Sequence, residues 1–335
     1  MTNPVWLWAI EQRLTGYHLN RAFDGPRSEE VGPCWSFSRF GRTETELPDG
    51  RLVMIGGEYE DNYDADFYIY NDVVVKHPDG SVEIFGYADD AFPPTDFHTA
   101  SLVGDRIFIV GNLSYPKVRA QKAQVLVLDT NTYRIDAFET AGERPPWIHG
   151  HSSELIENGR ALLVRGGLAC GPQWPTSFEN IDDWRLDLET GRWQRLTRMP
   201  WPRFAFIRAD DRPHHLYWLR RHLSDLARGK AEDPSGFRAR FLDELGPNPR
   251  TDLLETLYTP DIPHSTIPEV TEEYRVRRLC IDGVTVRYVE SWHDVQLTVE
   301  GDLPSQTVET IRLDLLSKLE AIENTTMKCV RLTIE

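Results

Sequence analysis

The apolar positions of this chain fall in short runs that end on glycine, and the runs recur. Leu52-Val53-Met54-Ile55 leads to Gly56-Gly57, Ile107-Phe108-Ile109-Val110 to Gly111-Asn112, and Ala161-Leu162-Leu163-Val164-Arg165 to Gly166-Gly167. Gly56, Gly111 and Gly166 are evenly spaced, 55 residues apart. A turn signal precedes each run: Pro48-Asp49-Gly50, Val103-Gly104-Asp105 and Glu157-Asn158-Gly159. Continuous apolar runs bounded by turn residues predict strands buried on both faces. After the third junction, residues 184–187, the turn Glu189-Thr190-Gly191 and an aromatic strand from Trp193 predict a hairpin. Four strands per unit at a period of about 50 residues is the pattern of β-propeller blades.

These units resemble kelch repeats. The resemblance rests on the apolar run before Gly-Gly, the spaced aromatics and the ending Asp187, Thr190, Gly191, Trp193. The third copy matches best. The second has Asn112 for its second glycine, and the first replaces the ending with His77-Pro78-Asp79-Gly80-Ser81-Val82. The resemblance covers roughly residues 34–197 and implies a kelch-like propeller. It leaves activity open, because such propellers include both binding modules and enzymes.

Along the chain, Trp6, Ile10 and Leu14 predict a helix over 4–15, and residues 1–33 form this helix and a lead-in segment. Blades are expected over 34–218. The last of these is a degenerate fourth, built from Phe204-Ala205-Phe206-Ile207 and Leu216-Tyr217-Trp218-Leu219 without a Gly-Gly. A helical insertion follows over 219–270: Leu219, Leu223 and Leu226 share a face, a second helix spans 235–245, and a third spans 252–257. Residues 271–335 read as βββαβ, with Asp282-Gly283 as a hairpin turn and a helix bearing Val308, Ile311, Leu315, Leu319 and Ile322 behind Ser305 as N-cap. This α+β segment either stands as its own layer or helps to complete the propeller, which three blades cannot close. The fold class is mainly β.

Charge narrows the partners. Lys and Arg number 37 against 53 Asp and Glu, a net charge of −16, which disfavours nucleic acid and anionic membranes; the total charge reads first as a device for solubility and second as a match to a basic partner. No apolar run approaches the roughly 20 residues of a membrane span. The N-terminus lacks a secretory pattern, and Cys34, Cys170, Cys280 and Cys329 have no ligand spacing, so a cytoplasmic location is expected.

Motifs for chemistry are few. Phosphate loops, the Gly-x-Ser-x-Gly elbow and His-Glu-x-x-His are missing. The run 61–66 resembles a calcium loop, but Tyr63 and Ala65 occupy ligand positions, so no metal is expected there. His98 and His151 read as counterpart strand histidines, and His214, His215 and His222 as part of a solvated helix start. What remains is a surface. In a propeller the loops after the glycines emerge on one face. Here they carry Glu58, Tyr59, Glu60, Asp61, Tyr63, Asp64 and Asp66, and then Trp174, Phe178, Glu179, Asp182 and Asp183. Acids among large aromatics suit capture of a basic protein. The expectation is a non-enzymatic binding module without catalytic residues, metal or cofactor, a specific form being an immunity protein that inhibits a cationic toxin. The alternatives are a kelch-type enzyme acting on a sugar or other small molecule, and a self-assembly scaffold.

Overall fold

A computed structural model describes residues 3–25, 35–60, 67–229, 242–246, 249–268 and 275–334. The chain divides into two compact units, Met1–Met199 and Pro200–Glu335.

The first unit is built on three antiparallel sheets that reproduce the repeat. The first sheet contains β1 (Thr43–Glu46) and β2 (Leu52–Ile55). The short pair β3 (Glu58–Tyr59) and β4 (Tyr68–Ile69) follows, and then β5 (Asp72–Lys76) and β6 (Val82–Gly86) complete the sheet in the order β1-β2-β5-β6. The second sheet runs β7 (Thr99–Val103), β8 (Arg106–Val110), β9 (Val125–Asp129) and β10 (Ile135–Ala137). β11 (Ala141–Gly142) and β12 (Trp147–His149) lead to β13 (Ser152–Ile156) and β14 (Ala161–Arg165). After β15 (Leu168–Cys170) and β16 (Phe178–Glu179), the chain returns as β17 (Trp184–Asp187) and β18 (Arg192–Arg195). The third sheet is thus β13-β14-β17-β18, with β11 added in parallel beside β18.

The register proves the repeat. Ile55 pairs with Thr43, Val110 with Thr99 and Arg165 with Ser152, so the three junctions hold equivalent positions. Strand alternation then decides what each face meets. Val53, Ile55, Val73 and Val75 pack with Ile107, Ile109, Leu126 and Leu128 of the second sheet. On the other face of the first sheet, Met54, Val74 and Ile84 pack on α1 (Pro4–Gln12) and α2 (Gly16–Ala22). Asn3 caps α1 by accepting from the Val5 N–H at 2.9 Å, and the helix stops at Arg13, which is left-handed. The expected 4–15 helix is therefore shorter, and α2 occupies part of what read as lead-in.

The junction glycines show why the sheets stack. A Cβ on Gly56 would lie 2.2 Å from the Thr95 carbonyl oxygen, and one on Gly111 would lie 2.3 Å from that of Ile148. Both glycines have positive φ, and each receives the strand leading into the next sheet. A Cβ on Gly166 would meet open space. The third sheet turns its Arg165 and Glu154 positions outward, both well exposed.

In the second unit the expected fourth blade is not formed. Phe204-Ala205-Phe206-Ile207 is a strand, β19 (Arg203–Arg208), but it is paired on both sides, by β23 (Asp294–Glu300) and β24 (Met327–Arg331). Four consecutive apolar residues suit such a central strand. The sheet runs β20 (Ser265–Ile267), β21 (Val276–Ile281), β22 (Val284–Glu290), β23, β19, β24. Leu216-Tyr217-Trp218-Leu219 opens α3 (Leu216–Ala227), whose Leu216 and Leu219 are fully buried one turn apart. The blade boundary set at 218 therefore moves to the 199/200 division. The βββαβ tail is present. α4 (Ser305–Glu323) lays its stripe of Val308, Ile311, Leu315, Leu319 and Ile322 on the sheet core with Val286, Tyr288 and Leu297. Pro304 is its N-cap and Ser305 its first residue, so the helix begins one place earlier than expected. Residues 251–253 form one 3-10 turn, and of the expected 235–245 helix only 242–245 fall among the described residues, where they are helical. Among the described residues no helix is long and apolar enough to cross a membrane.

Candidate functional site

After each junction the chain leaves its sheet to build a small projection: the β3–β4 pair, the segment 112–124 with a 3-10 turn at Pro116–Val118, and the β15–β16 pair, which β12 joins. The first two are interlocked. Ile69 N–H donates to the Tyr115 hydroxyl at 2.9 Å, and the Phe67 and Tyr115 rings meet edge to face at 5.7 Å. Arg119 Nε folds back to the Leu113 carbonyl at 2.9 Å, and Trp147 Nε1 donates to the same carbonyl at 3.3 Å. These bonds fix loops that carry exposed Tyr68 (39% exposed) and Val118 (45%), and Leu168 on the third projection is exposed as well (41%).

The expected acidic, aromatic residues divide into three groups. Glu60 and Glu179 are exposed, Trp174 is half-buried with its ring 4.9 Å from Phe178, and Asp183 is half-buried beside Arg165 at 3.2 Å. Glu58, Tyr59 and Asp182 are buried, contrary to a surface role. Glu58 is drawn in because its strand pairs both ways with the Phe40 backbone at 2.8 Å. Asp182 is drawn in by Arg195, 2.6 Å away, whose guanidinium lies over the Trp184 ring. Asp61, Tyr63, Asp64 and Asp66 lie outside the described residues.

Burial of Glu58 creates a feature that the sequence did not disclose. Its carboxyl faces that of Asp96, which is fully buried and accepts from Ser114 N–H at 2.7 Å through one oxygen while the other has no partner among the described residues. Burial, and then the Asp96 charge, push Glu58 up to about 7. Burial also raises Asp96, against the opposing Ser114 N–H. Each carboxyl disfavours the ionised form of the other, so their mutual repulsion adds to burial in raising Glu58. The neighbouring Cys170 thiol is pushed up to about 11 by burial, which removes it as a thiolate nucleophile. Glu58 and Asp96 come from different sheets, and no short-range spacing announces their meeting.

The histidines act as pins between sheets. His98 Nε2 lies 2.8 Å from Thr43 Oγ1, and His151 Nε2 lies 3.1 Å from Thr99 Oγ1. Each ties the residue before one sheet's inner strand to the inner strand of the sheet before it. Burial holds His98 down to about 3, and His149 and His151 down to about 4. His215 is not part of a solvated helix start, because it is buried against Glu323 at 2.8 Å; His214 is buried too. Among the described residues no group of three or more His, Cys, Asp or Glu is placed to hold a metal.

No family model matches the chain. No curated protein matches it either. Among solved structures, one described as the structure of YjhT is 15% identical at a TM-score of 0.37, covering 50% of this chain and 55% of that one. A fungal alcohol oxidase of the AA5 family, in complex with copper, is 13% identical at a TM-score of 0.31, covering 48% and 44%. The chain spans about half the length of the structures it matches.

Proposed function

We propose that the chain is a kelch-like, non-enzymatic protein-binding module that holds a basic partner on its post-glycine loops. The observation that carries the reading is the interlock of Ile69 and Phe67 with Tyr115, which fixes exposed Tyr68 and Val118 on neighbouring loops before any partner arrives. Apolar contacts presented without ordering cost are what a tight interface needs. Glu60 and Glu179 at the rim, with a net charge of −16, supply the steering for a cationic surface. An immunity protein bound to a cationic toxin is the specific form of this reading.

The test is binding to a partner recovered from the native host and then purified. Tyr68→Ala and Trp174→Ala should each raise the dissociation rate, by about 2 kcal/mol if either ring is an anchor. Glu60→Gln and Glu179→Gln should mainly lower the association rate, and less so as salt rises. Unchanged kinetics in all four would remove the loops as the binding surface. The Glu58–Asp96 pair favours a second reading, acid–base chemistry on a sugar. If that reading is right, Glu58→Gln abolishes a turnover that the loop variants leave intact.

A further inference from the structure

We infer that the outer edge of the second sheet, strand β10, is a docking edge for an extended basic segment of a partner protein. This surface is distinct from the post-glycine loops, and the inference does not rest on their role. β10 ends the order of its sheet and pairs with β9 alone. Asp129 N–H donates to the Arg134 carbonyl at 3.0 Å, and Phe138 N–H donates to the Val125 carbonyl at 2.9 Å. By strand alternation, the N–H and C=O groups of Ile135 and Ala137 point away from β9, in the geometry that an added strand uses.

The protein already performs this addition on itself. At the corresponding edge of the third sheet, β11 lies beside β18, pairing Ala141 with Arg192 and Gly142 with Trp193, and Ala141 N–H donates to the Gly191 carbonyl at 3.0 Å. The second sheet's edge has no such cover among the described residues. A groove of about 640 Å³ lies beside it, lined by residues 135–140 together with residues 123–126, Arg144 and, from the preceding linker, Asp89, Asp90, Ala91 and Pro93. Ala91, Ala123 and Ala137 line the groove with methyl groups, which leaves room for a backbone to come close.

Charge selects the occupant. Asp89, Asp90, Asp136 and Glu139 line the groove against Arg144 alone among basic residues. Asp89 accepts from Asn71 at 3.0 Å and Asp136 pairs with Arg134 on its own strand, so part of this charge is already met. Asp90 and Glu139 are exposed. An extended segment with basic side chains on alternate positions would satisfy the edge with its backbone and these acids with its side chains.

The experiment uses the full chain and a labelled peptide of alternating lysine and valine. Fluorescence anisotropy should show binding, and amide exchange should slow at Ile135 and Ala137. Methylating every second backbone nitrogen of the peptide should weaken binding about tenfold or more, as should replacing its lysines with glutamates. Asp90→Asn together with Glu139→Gln should weaken it by a similar factor while thermal unfolding stays in place. No binding, equal binding of the methylated peptide, or exchange that slows elsewhere but not on β10 would each overturn the inference.

Discussion

Arg165 stands where Ile55 and Val110 stand in the two preceding sheets, and its Nε lies 3.2 Å from the Asp183 carboxylate. Ile55 and Val110 are fully buried, whereas the Arg165 side chain is 51% exposed. One residue type therefore marks where stacking ends. With Gly166 facing open space as well, the third sheet presents a charged face and an unfilled junction at the place where the earlier sheets receive a neighbour.

Arg165→Val restores the repeat's apolar residue and should leave thermal stability within about 0.5 kcal/mol, because the ion pair it removes is exposed. It should also make the protein self-associate, since an apolar patch then replaces a charged one. Sedimentation velocity and thermal melting check both. A loss of about 2 kcal/mol or more would mean that Arg165 supports the sheet from within.

The junction glycines give a graded series. Gly56→Ala and Gly111→Ala each drive a methyl to within 2.2 or 2.3 Å of a carbonyl oxygen, so both should destabilise strongly, by about 3 kcal/mol or more. Gly166→Ala meets only backbone strain at φ 62° and should cost about 1 kcal/mol. Urea unfolding of the three variants should rank them in that order. Equal losses would contradict the unfilled third junction.

The pH dependence has two opposing parts. His98, His149 and His151 are held neutral by burial at about 3, 4 and 4, below the ordinary 6.5. The unfolded chain therefore binds more protons between about 6.5 and 4, and their contribution is present above 6.5 and lost as pH falls. Glu58 runs the other way. Raised from 4.5 to about 7, it favours the folded state below 4.5 and loses that contribution as pH climbs through 7. Glu58→Gln should thus be more stable than the parent at pH 8 relative to pH 4, and His98→Gln should flatten the acid limb. Denaturant midpoints from pH 4 to 8 measure both. An unchanged alkaline limb in Glu58→Gln would mean that burial beside Asp96 does not raise Glu58.

The sequence showed the three sheets because each repeat announces itself locally, in an apolar run, a turn and a glycine whose φ is positive. It misplaced the fourth unit because β19 has a blade strand's composition but not its neighbours. The apolar run 204–207 is satisfied by β23 and β24, which lie roughly 90 and 120 residues onward. The loop acids misled for a similar reason. Counting carboxylates in 58–66 says nothing about which of them pairing will draw inward, and Glu58 goes in with its strand while Asp182 follows Arg195. The histidine pins were legible as equivalents, since His98 and His151 precede matching strands. The threonines that receive them became visible only in the stacked sheets.

The second unit contains its own test. The Glu323 side chain, with no exposed surface, lies 3.0 Å from Arg208 Nη1 and 2.8 Å from His215 Nδ1, and it accepts from His215 N–H at 2.8 Å. Burial alone would raise this carboxyl, but the hydrogen bonds from His215 and Arg208 overcome it and hold Glu323 below its usual range. Glu323→Ala strips a buried guanidinium of one of its two carboxylates and leaves the His215 N–H without its acceptor. The expected loss is about 3 kcal/mol or more. Asp210, 2.7 Å from Arg208 Nη2, keeps that loss from growing much larger. Glu323→Gln keeps an acceptor for the His215 N–H and should lose less, and adding Arg208→Met to Glu323→Ala should recover part of the deficit by removing the stranded charge. Urea unfolding of the three variants should give Glu323→Ala the lowest midpoint. A double variant less stable than Glu323→Ala would show that Arg208 is held by Asp210 and packing, with Glu323 incidental.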